Sequence, residues 1–329
     1  MDLKVCSNDL IEKGYCVIHC GRGAKAQQLE KVCRDVMEYI KAGTGGEYNC
    51  SGGVSRAKLD CSNLLDTREG APPELTIQFH NEMAYAAKFP KYIAFAMVRR
   101  DPEGTGGHTI LCDNVKLIDI LSESLIQKMK GLGVMYIRKL EDISYRFEPF
   151  FYNSWQEAFG TKDRTEAIKR GNSSETSFLF EDKDGKGHES MSHNTWCPLF
   201  YASHQFSGEV LFSSILNRHG SWLSDHAYFG TIPFKERPYH CKWGDGSEFS
   251  DEELKEIRHA HDLSTIELIL NEGDVVVIDN LRVKHGRTPY TGERALGLFL
   301  SDMISRSYHR PCEAFLEMKR RLGFPLYSN

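Results

Sequence analysis

Two histidines and a carboxylate, remote from one another along the chain, are the residues whose types and spacing can do chemistry. His80 and Glu82 stand two apart in Phe79-His80-Asn81-Glu82-Met83, and His285 lies in Lys284-His285-Gly286-Arg287. On a strand, positions i and i+2 point to the same face, so His80 and Glu82 are expected to present an imidazole and a carboxylate side by side. Joined by His285, they give two histidines and one carboxylate. That set holds non-haem Fe(II) and leaves positions open for substrate and O2. Zinc takes the same ligands. The set carries weight as a group, since a lone histidine is more often a surface or core residue. An iron site that reduces O2 also needs a two-electron donor. 2-Oxoglutarate serves by chelating the metal through its 2-oxo acid end, and its far carboxylate then needs a cation, for which the planar fork of arginine is suited. Arg294 is the candidate, with Arg287 and Arg282 as competitors.

The elements that must position these residues are short and apolar. The run Val275-Val276-Val277-Ile278 reads as a buried strand, ended by Asp279-Asn280. His285-Gly286-Arg287 reads as a polar turn after it, and 295–300 as a second strand that Arg294 introduces. Further strands are expected at 15–19, 75–79, 92–98, 108–112, 135–140, 176–180, 198–204, 210–215 and 266–270. Helical spacing appears at 9–13, 27–40, 115–132 and 311–322, and a helical piece is expected from Trp155 to Arg170. Ser250-Asp251-Glu252-Glu253 is a capping box that opens a helix running to about Leu263. Segments 43–53 and 62–73 read as loops, 101–107 as a turn, 181–187 as a hairpin loop, and Ser207-Gly208 as a hairpin signal. Many short strands with glycine turns point to a mainly β fold with flanking helices, a double-stranded β-helix of the jelly-roll, cupin-like type, in which inward-facing positions converge from distant sequence. We find no repeat or linker that splits the chain, so 1–329 is expected to be one domain, with a helical and loop insert over about 143–195.

Composition sets bounds on function. The chain has 329 residues, 40% hydrophobic and 26% charged, with a formal net charge of −5. An acidic balance disfavours nucleic acid and anionic membrane surfaces as partners. No apolar run is long enough to span a membrane, and the N-terminus has no apolar signal core, so a cytoplasmic protein is expected. Ten scattered cysteines without a CxxC pair read as reduced thiols, and no partners for a zinc site are evident near Cys16 and Cys20. His259 and His261, two apart on the expected helix, do not share a face. His108 reads as a structural turn residue. His193, His204, His219 and His226 fall in a middle region where the sequence does not distinguish roles, and Trp196, Tyr201, Phe212 and Trp222 read as core.

Four blocks together carry a resemblance: His80-Asn81-Glu82-Met83-Ala84-Tyr85, Gly106-Gly107-His108-Thr109, Ser154-Trp155-Gln156-Glu157-Ala158-Phe159-Gly160, and Gly273-Asp274, Asp279-Asn280, His285-Gly286-Arg287, Gly292-Glu293-Arg294. With them the chain resembles the Fe(II)/2-oxoglutarate oxygenases of the taurine dioxygenase and clavaminate synthase-like superfamily, nearest its syringomycin-biosynthesis-type branch, from about Gly45 to Met303. The resemblance implies that His80, Glu82 and His285 are iron ligands, and that Arg294 binds the far carboxylate of 2-oxoglutarate with help from the Thr109 hydroxyl. Iron, 2-oxoglutarate and O2 are the cofactors it implies, and a small, amino-acid-like metabolite is the substrate class. Hydroxylation, desaturation and oxidative ring closure, as in kainic acid synthase, are the outcomes that follow. The chain departs from the pattern at Ala295, where relatives often carry a second basic residue beside the arginine. Glu82 fills the position that halogenases of this kind leave for chloride, which disfavours halogenation. A zinc hydrolase, with metal-bound water as nucleophile, and a non-catalytic jelly-roll binding protein are the alternatives. The hydrolase has no use for Arg294, and the binding protein would tolerate loss of His80 or Glu82.

Overall fold

The computed structural model describes residues 2–47, 56–67, 71–144, 154–173, 175–182, 185, 187–202, 208–307 and 309–324. Cys50, His204 and Ser207 lie outside them. Two antiparallel sheets face each other as a jelly roll. The first has the order Tyr15–His19, Asp274–Asp279, Tyr92–Arg100, Arg294–Leu300 and the short Leu65–Asp66. The second has the order Thr265–Leu268, Thr109–Asp113, Val283–Arg287 and Ile77–His80.

The unbroken apolar run at 275–278 has a direct cause: its sheet is covered on both sides. Val276 and Ile278 point between the sheets, where they pack with Ile93, Phe95, Met97, Leu111, Val283, Leu296 and Leu298. Val275 and Val277 point the other way, against Ala94 and Ala96 and the helices Leu3–Lys13 and Ala26–Tyr39. Alternating strand positions thus feed two separate cores. The outward face of the second sheet (Phe79, Ile110, Cys112) packs under the helices Asn114–Ile120, Glu123–Leu132 and Asp251–Leu263. The last of these opens on the expected capping box, with Ser250 and Glu253 each bonded to the other's backbone.

A third sheet lies beside the jelly roll: Tyr239–Trp243, Val134–Leu140, Glu189–Cys197 and Thr176–Asp182, all antiparallel. It takes in most of the strands expected between 134 and 197.

Several elements differ from the sequence reading, each for a local reason. The helix expected over 115–132 is two helices, because Asp113 and Ser122 each cap a start and Leu121 between them is extended. The piece from Trp155 to Arg170 likewise divides into Trp155–Phe159 and Arg164–Gly171, with left-handed Gly160 ending one and Asp163 capping the next. The strands near 200 and 210 are short, Phe200–Ala202 and Glu209–Leu211, and Ile215 belongs to a helical turn. His285-Gly286-Arg287 is not a turn but the end of the strand Val283–Arg287. The glycine there serves a close approach: a Cβ on Gly286 would stand 2.5 Å from the Ile77 carbonyl oxygen of the neighbouring strand. The cysteines among the described residues are free. No helix among them is long and apolar enough to cross a membrane.

Candidate metal centre

The register of the second sheet brings the two histidines face to face. His285 pairs with His80 across the Val283–Arg287 and Ile77–His80 strands, and their ring centroids are 4.2 Å apart. On its other neighbour His285 pairs with Leu111, an inter-sheet core residue, so both imidazoles point into the jelly roll. The Phe95 ring, 5.0 Å from that of His285, helps fix its orientation.

Glu82 arrives differently from the strand alternation expected for it. The strand ends at His80, and Asn81-Glu82-Met83 forms a turn in which Met83 has φ 59°. The turn is held by hydrogen bonds instead of a ladder. Asn280 accepts the Glu82 N–H through Oδ1 at 2.7 Å and donates from Nδ2 to the Glu82 and Pro90 carbonyls at 3.0 and 2.9 Å. Asn81 donates to the Asn280 carbonyl at 2.6 Å and accepts the Ser213 N–H at 2.8 Å. Ser214 donates its hydroxyl to the Asn81 carbonyl, and Asn114 donates to the Leu281 carbonyl at 2.6 Å. Asn81, Asn114 and Asn280 are fully buried. Buried amides keep their positions only when so satisfied, and this network places Glu82 Oε2 3.5 Å from His285 Nε2 and 4.0 Å from His80 Nε2.

The donor set fits a divalent cation. His80 Nδ1 lies 2.9 Å from the Gln78 carbonyl oxygen; that oxygen can only accept, so the proton sits on Nδ1 and the Nε2 lone pair faces Glu82. Burial, with the charge of His285, lowers the His80 pKa to about 3. Burial raises that of Glu82, but the His285 hydrogen bond and the charges of Arg56 and His80 outweigh it and bring it down to about 2. Neutral imidazole beside ionised carboxylate is the protonation state that metal binding needs. One ligand atom from each of the three residues lies within 4.8 Å of the others. His285 Nδ1 is buried and has no hydrogen-bond partner among the described residues.

Arg294 is buried at the start of its strand, donating from Nη1 to the Gly107 carbonyl at 2.8 Å and lying over the Tyr290 ring at 4.9 Å. Burial, then the nearby charge of Arg287, lowers its pKa to about 10, so it stays a cation. Gly107 makes room for it: a Cβ there would be 2.6 Å from Nη1. Arg287 packs on the same Tyr290 ring at 4.8 Å, but its Nη2 is committed to the Pro72 and Leu75 carbonyls. Arg282 bonds Asp113 and the carbonyls of Ile11 and Glu12, which removes it as a competitor for the site. Thr109 pairs with Arg287 across the second sheet and is buried.

The other histidines are distributed among structural roles. His108 lies 2.5 Å from Glu267, His193 stacks on Phe178, His226 accepts from the Tyr228 N–H, and His261 is buried against Phe79 while His259 is exposed. Trp196, Tyr201 and Phe212 are buried in the core and Trp222 packs partly buried against it, as expected. His219, His240 and Glu248 form a second cluster that the sequence reading missed. There His240 Nδ1 accepts the Gly220 N–H, so its proton lies on Nε2 and is donated to Glu248 at 2.9 Å. His219 Nδ1 likewise accepts the Ser221 N–H. His240 therefore turns a protonated nitrogen toward Glu248, the opposite of His80, whose Nε2 lone pair faces Glu82.

The family model described as taurine catabolism dioxygenase TauD, TfdA family matches residues 9–298. The dapdiamide synthesis protein DdaC of Enterobacter agglomerans is 28% identical over 249 residues, 71% of this chain and 68% of the relative. A clavaminate synthase-like protein of Arabidopsis thaliana is 23% identical over 231 residues, 69% of this chain and 66% of the relative, just under two thirds of its length. Among solved structures, AAD-2 in complex with Mn(II) and N-oxalylglycine is similar in fold, with a TM-score of 0.50 and 12% identity over 94% of this chain and 91% of that one.

Proposed function

Because the chain belongs to the taurine catabolism dioxygenase TauD, TfdA family, we propose that it is an Fe(II)- and 2-oxoglutarate-dependent oxygenase of a small, amino-acid-like metabolite, working as a single cytoplasmic domain. The observation that carries this reading is the approach of Glu82 Oε2 to the Nε2 atoms of both His285 and His80 inside the jelly roll. In this reading His80, Glu82 and His285 hold the iron, and iron with 2-oxoglutarate and O2 supplies the oxidation of a C–H bond, releasing succinate and carbon dioxide. The chain does the rest. Asn280 and Asn81 keep the Glu82 carboxylate aimed at the histidines. Gln78 keeps the His80 proton on Nδ1, away from the metal side. Arg294, with one N–H already anchored on Gly107, meets the far carboxylate of 2-oxoglutarate, and Thr109 adds a hydroxyl. The buried sheets exclude water from this space, which strengthens each charged contact.

Hydroxylation is the default outcome; desaturation and oxidative ring closure of the kainic acid synthase kind require the pocket to hold the substrate away from oxygen transfer. The test is succinate formation from 2-oxoglutarate with ferrous iron and ascorbate. Turnover that chelation abolishes and iron, but not zinc, restores supports the reading. Absence of both turnover and metal binding rejects it. A screen of amino-acid-derived metabolites for gain of one oxygen or loss of two hydrogens then identifies the substrate and the outcome together.

A further inference from the structure

A bulge in the first sheet turns a second arginine toward Arg294. Along Tyr92–Arg100, Met97 stands opposite Leu296, and both point between the sheets. The pairing then shifts by one: Arg99 lies opposite Ala295 and Arg100 opposite Arg294, so Val98 is an extra residue on its strand. Strict alternation from Met97 would send Arg100 outward. The extra residue restores it to the inward face, as bulges re-aim the side chains that follow them. Ala295 faces the core against the helices, and Arg99 is exposed beside Glu293. Arg100 and Arg294 therefore share one face, and with Thr105, Gly106 and Tyr290 they line one cavity.

Their guanidiniums hang on consecutive carbonyls. Arg294 donates from Nη1 to Gly107 at 2.8 Å, and Arg100 donates from Nη2 to Gly106 at 2.9 Å and from Nη1 to Leu270 at 3.0 Å. Gly106 and Gly107 are both left-handed, with φ 67° and 65°. Two adjacent glycines give the backbone its greatest freedom, yet here each peptide is gripped at both ends. The peptide joining 106 to 107 donates its N–H to the Pro289 carbonyl at 2.9 Å and accepts Arg100 on its own carbonyl. The peptide joining 107 to 108 donates its N–H to Thr288 Oγ1 at 2.9 Å and accepts Arg294. Each peptide is planar, so only the two torsions at Gly107 separate them, and the direction of the second depends on the first.

Arg100 suits this task better than a shorter donor would. Its anchor, Leu270, is buried between the sheets, and a planar fork reaches that carbonyl and the one at Gly106 together. Bonds from a charged donor are also the stronger ones. Arg287 and Arg100 are both close enough for their charge to oppose that of Arg294. Arg294 therefore keeps its place through its seat on Gly107, and not through the charge of its neighbours.

We propose that Arg100 is a positioning residue for the cosubstrate: by tying the Gly106 carbonyl to Leu270 it sets the peptide on which Arg294 is seated, and so governs recognition of the far carboxylate of 2-oxoglutarate. The inference rests on the oxygenase reading above and deepens it, adding a residue that acts through the seat of Arg294.

The test uses the full chain loaded with Mn(II) and two probes that chelate alike, N-oxalylglycine and N-methyloxamate, of which only the first carries the far carboxylate. Titration calorimetry gives the ratio of their affinities. Arg100→Met is expected to lower that ratio about tenfold, the scale of one hydrogen bond from a charged group, with the affinities for N-methyloxamate and for Mn(II) unchanged. Arg100→Lys keeps the charge without the fork and is expected to lower the ratio by about threefold; it carries the test alone if the methionine variant does not fold. Arg99→Met removes the same charge one residue away on the opposite face and is expected to leave the ratio as it is. In turnover, the KM for 2-oxoglutarate should rise in Arg100→Met while kcat holds. A full ratio in either Arg100 variant, an equal loss of both probes, or an equal fall in Arg99→Met overturns the proposal. Succinate formation by the unmodified enzyme separates the two readings. If it fails, the oxygenase reading falls; if it succeeds while the ratio does not move, only the role of Arg100 falls.

Discussion

Asn81 and Asn280, far apart in the chain, are joined by a 2.6 Å hydrogen bond from the Asn81 amide to the Asn280 carbonyl, and both are completely buried. Asn280 in turn brackets Glu82 on both its N–H and its carbonyl. The carboxylate of the candidate centre is therefore positioned by an amide on the opposite segment of the site.

Asn280→Ala removes that bracket and leaves the Glu82 N–H unsatisfied. We expect metal affinity to fall by about 10–100-fold, the usual effect of losing a supporting shell, with a stability loss of about 1–3 kcal/mol. Titration with Mn(II) and a melting curve measure the two effects separately. Unchanged metal affinity in a folded variant would show that Glu82 holds its place without Asn280.

Glu82→Gln keeps the shape of the side chain and removes its charge. Metal binding is expected to weaken by at least about 100-fold at neutral pH, because a hard carboxylate oxygen is replaced by a neutral amide. Succinate formation should fall with it. Titration calorimetry with Mn(II), beside the succinate assay, checks both.

Gly107→Ala tests the seat of Arg294. The added methyl would stand 2.6 Å from Nη1 at a residue with φ 65°, so both the guanidinium and the backbone must shift. The expected result is a KM for 2-oxoglutarate raised by about tenfold, roughly 1.4 kcal/mol of lost cosubstrate binding, with iron affinity unchanged. A variant with normal KM would place the cosubstrate carboxylate elsewhere.

The buried histidines outside the centre make the fold sensitive to acid. Burial, with Arg138 adding to it, lowers the His193 pKa from 6.5 to about 4; burial likewise lowers His219 to about 4 and His261 to about 3. Above pH 6.5 the folded and unfolded chains both keep these rings neutral, so stability is flat there. Between 6.5 and 4 the unfolded chain takes up protons that the folded one refuses, and stability falls as pH falls. His193 alone accounts for about 3 kcal/mol at roughly 1.4 kcal/mol per tenfold. Denaturant midpoints measured from pH 7 to pH 4 should show the loss, and His193→Phe should make the slope shallower. An equally steep slope in that variant assigns the acid loss to other groups.

What the sequence made legible was what periodicity and residue type encode. The strands at 15–19 and 275–278 and the capping box at Ser250 follow from local patterns, and His80, Glu82 and His285 stand out by residue type. What it hid depends on partners remote in sequence. His-Gly-Arg has the composition of a turn, and only the approach of the Ile77 carbonyl explains why Gly286 sits inside a strand. Glu82 fits a strand alternation with His80, yet its place is set by Asn280, whose amide gives no sign of its target in the chain. Asn81, Asn114 and Ser214 look like ordinary loop residues until their burial is seen. Helix breaks at Leu121 and Gly160 had visible signals, the caps Ser122 and Asp163, that the apolar spacing overrode.

The strand Tyr15–His19 pairs with Asp274–Asp279, and His80 with His285. A ribosome-bound chain therefore owns one half of every such contact long before it owns the other. Pairings of this separation fold slowly, because long loops must close before any contact repays them. The nascent protein must wait, with apolar strands uncovered, until its C-terminal segment emerges, and no shorter fragment ending before His285 can assemble the three-residue centre.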